Sequence, residues 1–377
     1  MSKRTTDFDV LVVGDHPAAY VAAVALRAVG QVRVLHVTVP GESSGDRLTL
    51  LNPAAFSLSK DLEGLARKIE TTPVYGLKFL SHQGEVFSEH RSRSILSHVT
   101  TMRAMRDACR ALAVAREVTM EQPRTFRLSS VDETGATIDC GREQYRATML
   151  IIATPLAEAT RKQLGMPARW DRQSLSQCST MKLRAGKSIA TDGRVILPIS
   201  LDVAGSFAWG WMLCHAGAVQ LSVVHEGAGD NPVAPAVLMR GWVDILIEHG
   251  LVKPLEVSEA AVETTDQPLA GALANESVAD RTLLIGPAGG FLAATGEELY
   301  PSLWSAMIAA DVARKALKER HLQDALQPFR SKWRTTLGEY LRGPQQNLRF
   351  LLPLVYRNQV MTTRMTEAIL NGKSVVR

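Results

Sequence analysis

The sequence predicts an α/β fold: a doubly wound parallel sheet, a separate antiparallel sheet and a helical C-terminal end. Three observations predict it. First, residues 8–13 (FDVLVV) are a Val-rich apolar run, 18–28 (AAYVAAVALRA) are strongly helix-forming, and 32–37 (VRVLHV) are a second β-rich run. Strand, tight turn, helix and strand in that order make a βαβ unit, and strands buried on both faces need such apolar runs. Second, 194–203, 208–214 and 219–225 alternate in polarity and carry aromatics, the pattern of an antiparallel sheet. Third, 329–340 and 346–371 read as helices.

The remaining elements follow in order. Residues 40–60, with Gly41, Gly45 and Pro53, read as loop. Residues 74–80 and 85–87 suit short antiparallel strands around a Gln83-Gly84 turn. A helix over 102–115 places Met105, Cys109 and Leu112 on one face. Residues 126–131 and 136–140 flank 132–135 as a hairpin, and 148–153 (TMLIIA) form a buried strand stopped by Pro155. Helices are expected over 235–249 and 304–318. There is no internal repeat or low-complexity segment.

The 377 residues suit two or three structural units, and the 46% apolar and 21% charged composition is that of a globular protein. No apolar run approaches the ~20 residues that span a bilayer. The opening MSKRTTDFD runs into a strand without an apolar signal region, so a cytoplasmic protein is expected. Cys109, Cys140, Cys178 and Cys214 form no CxxC pair, and the nine histidines show no HExxH spacing. Reduced thiols and no metal site are the expectation. The net charge of +5 is uneven: from Arg314 to Arg377 there are 13 Lys and Arg against four Asp and Glu, a net of +9. Such an end can by charge meet nucleic acid, anionic lipid or an acidic partner, or is a solvated helical face.

The first turn reads Gly14-Asp15-His16-Pro17-Ala18-Ala19. A dinucleotide-binding turn needs a first Gly for the tight bend, a second for close approach of a pyrophosphate, and a small third residue for helix–strand packing. Gly14 and Ala19 meet the first and third needs; His16 occupies the second position. Pro17 suits an early helix position. His16 reads either as a phosphate contact or as a helix cap. A carboxylate usually ends the second strand and holds the adenosine ribose; by position that residue is His36, which accepts one hydrogen bond at most.

A second motif lies in 280–310, DRTLLIGPAGGFLAATGEELYPSLWSAMIAA. An apolar strand, Gly286-Pro287-Ala288-Gly289-Gly290-Phe291 and a Gly-containing turn lead into a helix. Together with the first turn, Arg103 in MRAMRDACRAL, Arg161–Pro167 (RKQLGMP) and the segment FAWGWMLCHAGAVQLSVVH, it resembles the geranylgeranyl-reductase branch of FAD-dependent oxidoreductases, of the p-hydroxybenzoate hydroxylase type. The resemblance spans nearly the whole chain in the right order. It implies an FAD-binding Rossmann-like unit from 1–70, 98–165 and 270–320, a substrate unit from 71–97 and 166–269, and a helical region over 321–377. It implies cofactor positions at Gly14, His16, Pro17, Ala18, Ala19, His36 and Arg103, and at Gly286, Pro287, Ala288, Gly296, Glu297, Glu298 and Leu299. Trp209 and Trp211 share one sheet face and read as a substrate-pocket floor or as ordinary sheet packing.

The chain departs from that pattern where the cofactor would touch. Pro287 stands for the Asp that holds the ribityl chain, Thr154-Pro155 for Asp-Gly, and Glu298 for a Gly at the edge of the flavin ring. A carboxylate at that edge costs free energy beside a reduced flavin unless it is neutralised. Trp304 is a second residue that reads as filling cofactor space. Two functions fit these residues. One is an FAD-dependent oxidoreductase acting on a mostly apolar substrate, isoprenoid or lipid, with peripheral membrane contact through the basic end. The other is a flavin-free descendant that binds a lipid or protein partner. No nucleic-acid partner is expected.

Overall fold

The computed structural model describes residues 5–28, 30, 32–38, 47–81, 87–166, 175–184, 193–203, 206–225, 235–252, 261–268, 276–293, 296–342 and 345–371. The first half of the chain runs β1 (Thr5–Val13), α1 (Pro17–Arg27), β2 (Val34–Val37), β3 (Leu48–Leu51), α2 (Lys60–Glu63), β4 (Thr72–Val74), β5 (Gly76–Leu80), β6 (Phe87–Arg91), β7 (Ser97–Thr101), α3 (Met102–Ala115) and β8 (Thr119–Glu121). Next come β9 (Arg127–Asp132), β10 (Gly135–Cys140), β11 (Glu143–Ile152), α4 (Glu158–Gln163), β12 (Leu175–Arg184), β13 (Arg194–Val203), β14 (Ser206–His215), β15 (Ala218–His225) and α5 (Pro235–Glu248). The chain continues with β16 (Val262–Pro268), β17 (Val278–Ala279), β18 (Thr282–Leu284), α6 (Leu299–Ala316), α7 (Leu322–Leu326), α8 (Pro328–Arg342), α9 (Gln345–Arg357) and α10 (Gln359–Asn371).

The expected βαβ unit sits at the centre of an eight-stranded sheet of order β17-β18-β11-β1-β2-β8, with the β9–β10 hairpin attached to β11. β1 pairs in parallel with β2 and β11, and β11 with β18. Alternation sends successive β1 side chains to opposite faces. Val10 and Val12 meet a layer built from α1, α3 and α6, while Leu11 and Val13 pack with Leu128 and Ile138 of the hairpin.

A seven-stranded sheet, β16-β12-β15-β14-β13-β5-β6, is antiparallel except at the β5–β13 pair. Helix α5 covers one face, with Trp242 and Leu246 against Met181, Ile196 and Leu221. The other face meets the three-stranded sheet β3-β7-β4 and the last two helices, through Trp209, Trp211, Leu48, Val99, Leu352 and Ile369. Among the described residues, no helix is long and apolar enough to cross a membrane.

Three local expectations change. The span 40–60 contains strand β3 and a 3₁₀ turn, Pro53–Leu58, capped by the Asn52 side chain. LTLL becomes a strand because β7 supplies its ladder partner. Helix α6 starts at Leu299 rather than 304, because Glu297 accepts the Tyr300 N–H and satisfies an otherwise orphaned donor. The helix expected over 346–371 is two, broken at Asn358, whose Oδ1 caps α10 through the Val360 and Met361 N–H groups. The Gln83-Gly84 turn lies outside the described residues, although β5 and β6 pair antiparallel on either side of it.

Candidate functional site

The C-terminal ends of β1, β11 and β18 form one edge of the large sheet, the position where open α/β sheets place their ligands. Gly14 leaves β1 with φ 127° and packs so tightly that a Cβ would lie 3.2 Å from the Thr154 nitrogen. Thr154 therefore closes against the turn from β11. Asp15 is held by the Tyr20 hydroxyl at 2.6 Å and by Arg106 of α3 at 3.3 Å. Pro17, Ala18 and Ala19 are buried in the first turn of α1.

His16 is the N-cap of α1, and its Nδ1 accepts the Ala18 N–H at 3.1 Å. With Nδ1 an acceptor, the ring proton is on Nε2. That nitrogen donates to Glu298 Oε1 at 3.1 Å. The ring also lies against Gly286, where a Cβ would come 3.3 Å from Nδ1. The second carboxylate oxygen of Glu298, Oε2, accepts a hydrogen bond from Arg47. His16 and Arg47 thus meet the motif that holds Gly286 and Glu298, joining three segments that are distant in sequence. Burial raises the Glu298 carboxyl, but Arg47 and His16 overcome it and hold the group at about 2.

Glu297 faces the opposite way. Its Oε1 accepts the Tyr300 N–H at 2.8 Å, and its Oε2 accepts the Tyr340 hydroxyl of α8 at 3.0 Å. Burial pushes this carboxyl up to about 8 in spite of those bonds. Gly296 has φ 81°, and a Cβ there would overlap the Trp211 indole. Trp211 leans on Trp209 with ring centroids 4.6 Å apart, and both are 7% exposed. Between Arg47, Cys178, Trp211, Gln220, Gly296 and Glu298 a cavity of about 20 Å³ remains.

The other predicted residues are placed as follows. His36 is fully buried, edge-on to Tyr20, with Nε2 2.8 Å from the Gly14 carbonyl, so it braces the turn from beneath. Desolvation lowers it from 6.5 to about 4, which keeps it neutral and makes Nε2 the donor. Beyond it β2 ends in Val37 and Thr38, with no carboxylate. Arg103 is exposed in the first turn of α3. Pro287 opens a 3₁₀ turn that includes Ala288 and ends on Gly290 in the left-handed region. Leu299 is fully buried. Trp304 does not approach the cavity. It lies one turn beyond Tyr300 on the outer stripe of α6, its ring 5.3 Å from Tyr300, lining a 460 Å³ groove against α8. Trp211, from the other sheet, meets the motif instead.

Arg47, Asn52, Cys178, Gln220 and Tyr340 belong to this site and were not singled out from the sequence. Nothing local marks them; the one signal was that a buried carboxylate at Glu298 needs a neutralising partner.

These residues do not fit FAD as they stand. The Ala18 N–H and the His16 ring are spent on each other and on Glu298. No acid ends β2. A drug-sized ligand needs a cavity of about 300 Å³ or more, and about 20 Å³ remains between Arg47, Trp211 and Glu298. Among the described residues, no cluster of His, Cys, Asp and Glu has metal-holding geometry.

No protein-family profile matches the chain, and no curated protein matches it in sequence. Solved structures do match its fold over nearly the full length. A geranylgeranyl bacteriochlorophyll reductase-like protein from Thermoplasma acidophilum is 15% identical over 98% of this chain and 91% of that one, with a TM-score of 0.67. The p-nitrophenol 4-monooxygenase of Pseudomonas putida is 14% identical over 99% and 96%, with a TM-score of 0.65. A flavin-dependent brominase is 14% identical over 97% and 94%, with a TM-score of 0.63. The chain has the fold of the FAD-dependent oxidoreductases of the geranylgeranyl reductase and p-hydroxybenzoate hydroxylase type.

Proposed function

We propose that this chain is a flavin-free binding protein built on the flavoprotein fold. The observation that carries this reading is the filling of the cleft by the chain's own groups. Glu298, at the position where the resemblance implies a Gly against the flavin ring, ties Arg47 to His16, and Trp211 lies on Gly296 of the same turn. His16, Pro287 and Glu298 all stand at cofactor positions, while Ala19 and the helix-packing residues around it are buried.

The second reading is an FAD-dependent oxidoreductase acting on a mostly apolar, isoprenoid or lipid substrate. It is favoured by the full-length likeness to flavin enzymes and by the positive φ of Gly14, Gly286 and Gly296. One measurement separates the two. Protein purified without added cofactor is scanned for flavin absorbance and then titrated with FAD by fluorescence. The expected result is colourless protein without saturable quenching. Stoichiometric flavin, or saturable uptake, would return the oxidoreductase.

In the flavin-free reading a membrane is met at the surface. The outward faces of α9 and α10 carry Arg357 and Arg364 beside Leu354 and Val360, exposed by 49% and 59%. This mixture suits a membrane surface rich in anionic lipid.

A further inference from the structure

We propose that His16 and Arg47 form an oxyanion site which the chain fills from within, the Glu298 carboxylate standing in for the oxyanion of a phosphate-bearing ligand. The proposal rests on the flavin-free reading and says what keeps the cleft closed.

The His16 ring and the Arg47 backbone are positioned without help from Glu298, and the Arg47 guanidinium turns onto the carboxylate. The His16 ring is oriented by the Ala18 N–H and by its seat on Gly286, so Nε2 points away from α1. Arg47 immediately precedes β3, and its carbonyl accepts the Met102 N–H at 2.9 Å, which fixes its backbone against the start of α3. The acceptor, by contrast, sits at the end of the turn before α6 and makes no capping bond to that helix. Both of its oxygens are used on the donor pair, and the carboxylate is 7% exposed. A pair of donors converging on one oxyanion is how proteins hold phosphates and carboxylates, and an Arg beside an imidazole N–H matches two oxygens of a phosphate. Removing the carboxylate leaves a partly buried guanidinium and a buried imidazole N–H without their acceptor. A free oxyanion can restore both. With Trp211 against Gly296, the space admits a small group, so the ligand class is a phosphate or diphosphate whose oxyanion displaces Glu298.

The test uses the full chain and inorganic pyrophosphate. Calorimetry is run on the wild type, Glu298→Gln, Glu298→Gly and Glu298→Gly/Arg47→Met. The expected result is binding at least tenfold tighter to the two single variants than to the wild type, lost again in the double variant. Folded single variants that bind no better than the wild type would overturn the proposal, as would binding that survives Arg47→Met. Should Glu298→Gly unfold in chloride, its melting temperature is measured in pyrophosphate at matched ionic strength. Recovery that depends on Arg47 supports the internal oxyanion; no recovery overturns it. These outcomes are separate from wild-type FAD uptake, which would overturn the flavin-free reading alone.

Discussion

Glu297 and Glu298 are adjacent, both buried, and pushed in opposite directions. The difference lies in their partners. Burial raises both, but Glu298 has a guanidinium and an imidazole against it, whereas the donors to Glu297 are uncharged, the Tyr300 and Asn52 N–H groups and the Tyr340 hydroxyl. Glu297, raised from 4.5 to about 8, is protonated at neutral pH in the folded protein. Between those values the folded state holds a proton that the unfolded state has lost, so this group's stabilisation falls as pH rises. His36, lowered from 6.5 to about 4, acts in the other direction below 6.5, where the unfolded state gains the proton. The window from pH 6.5 to 8 therefore reports Glu297 alone of the two. There the wild type should lose ~1–2 kcal/mol relative to Glu297→Gln, following a slope of ~1.4 kcal/mol per pH unit. Denaturant melts at pH 6.5, 7.2 and 8 check it. A wild-type-to-variant difference that stays constant with pH would mean Glu297 is ionised throughout.

At the scale of elements, the contact that closes the cleft is between a strand of one sheet and a turn of the other unit. Trp211 comes from β14, and Gly296 precedes α6. Gly296 is restricted twice, by φ 81° and by the indole above it. Gly296→Ala should cost ~1 kcal/mol for the backbone and a further ~1–3 kcal/mol for overpacking. Trp211→Ala removes the overlap at its own cost of ~3–5 kcal/mol. In that background Gly296→Ala should cost only the backbone share. A double-mutant cycle from urea melts reads the coupling directly, and an additive result would rule out the contact.

At the scale of the molecule, charge and apolar surface are divided by the packing of the C-terminal helices. Leu352, Val355, Met365 and Ile369 are spent on the sheet, which leaves Arg357, Arg364, Leu354 and Val360 outward. Exposed basic charge near an anionic leaflet contributes about 1 kcal/mol per Lys or Arg and decays within a Debye length of ~10 Å at 0.1 M salt. The protein should therefore co-sediment with phosphatidylserine vesicles at low salt and leave them at high salt. Arg357→Glu/Arg364→Glu should abolish this without lowering the melting temperature, since both side chains are exposed. Equal binding to uncharged vesicles would remove the electrostatic basis.

The elements read most clearly from sequence are those whose signal is local. The βαβ run, the 102–115 helix, the hairpin after 126 and the strand pairs around Trp209 and Trp211 all carry their own periodicity or turn chemistry. Strands β12 and β16 carry no such signal; LSQCSTMKLR and VETTDQP are polar, and they are strands because β12 pairs with both β15 and β16. The site divides in the same manner. The sequence by itself determined the fold, the two glycine turns and which cofactor positions had changed, because those follow from spacing and residue type along the chain. Tertiary structure alone decided what the changes do. Glu298 meets Arg47 across 251 residues and His16 across 282, and Trp211 reaches Gly296 from another sheet. Electrostatic and packing partners at such separations have no periodic trace in the chain, and they exist only once the sheets have come together.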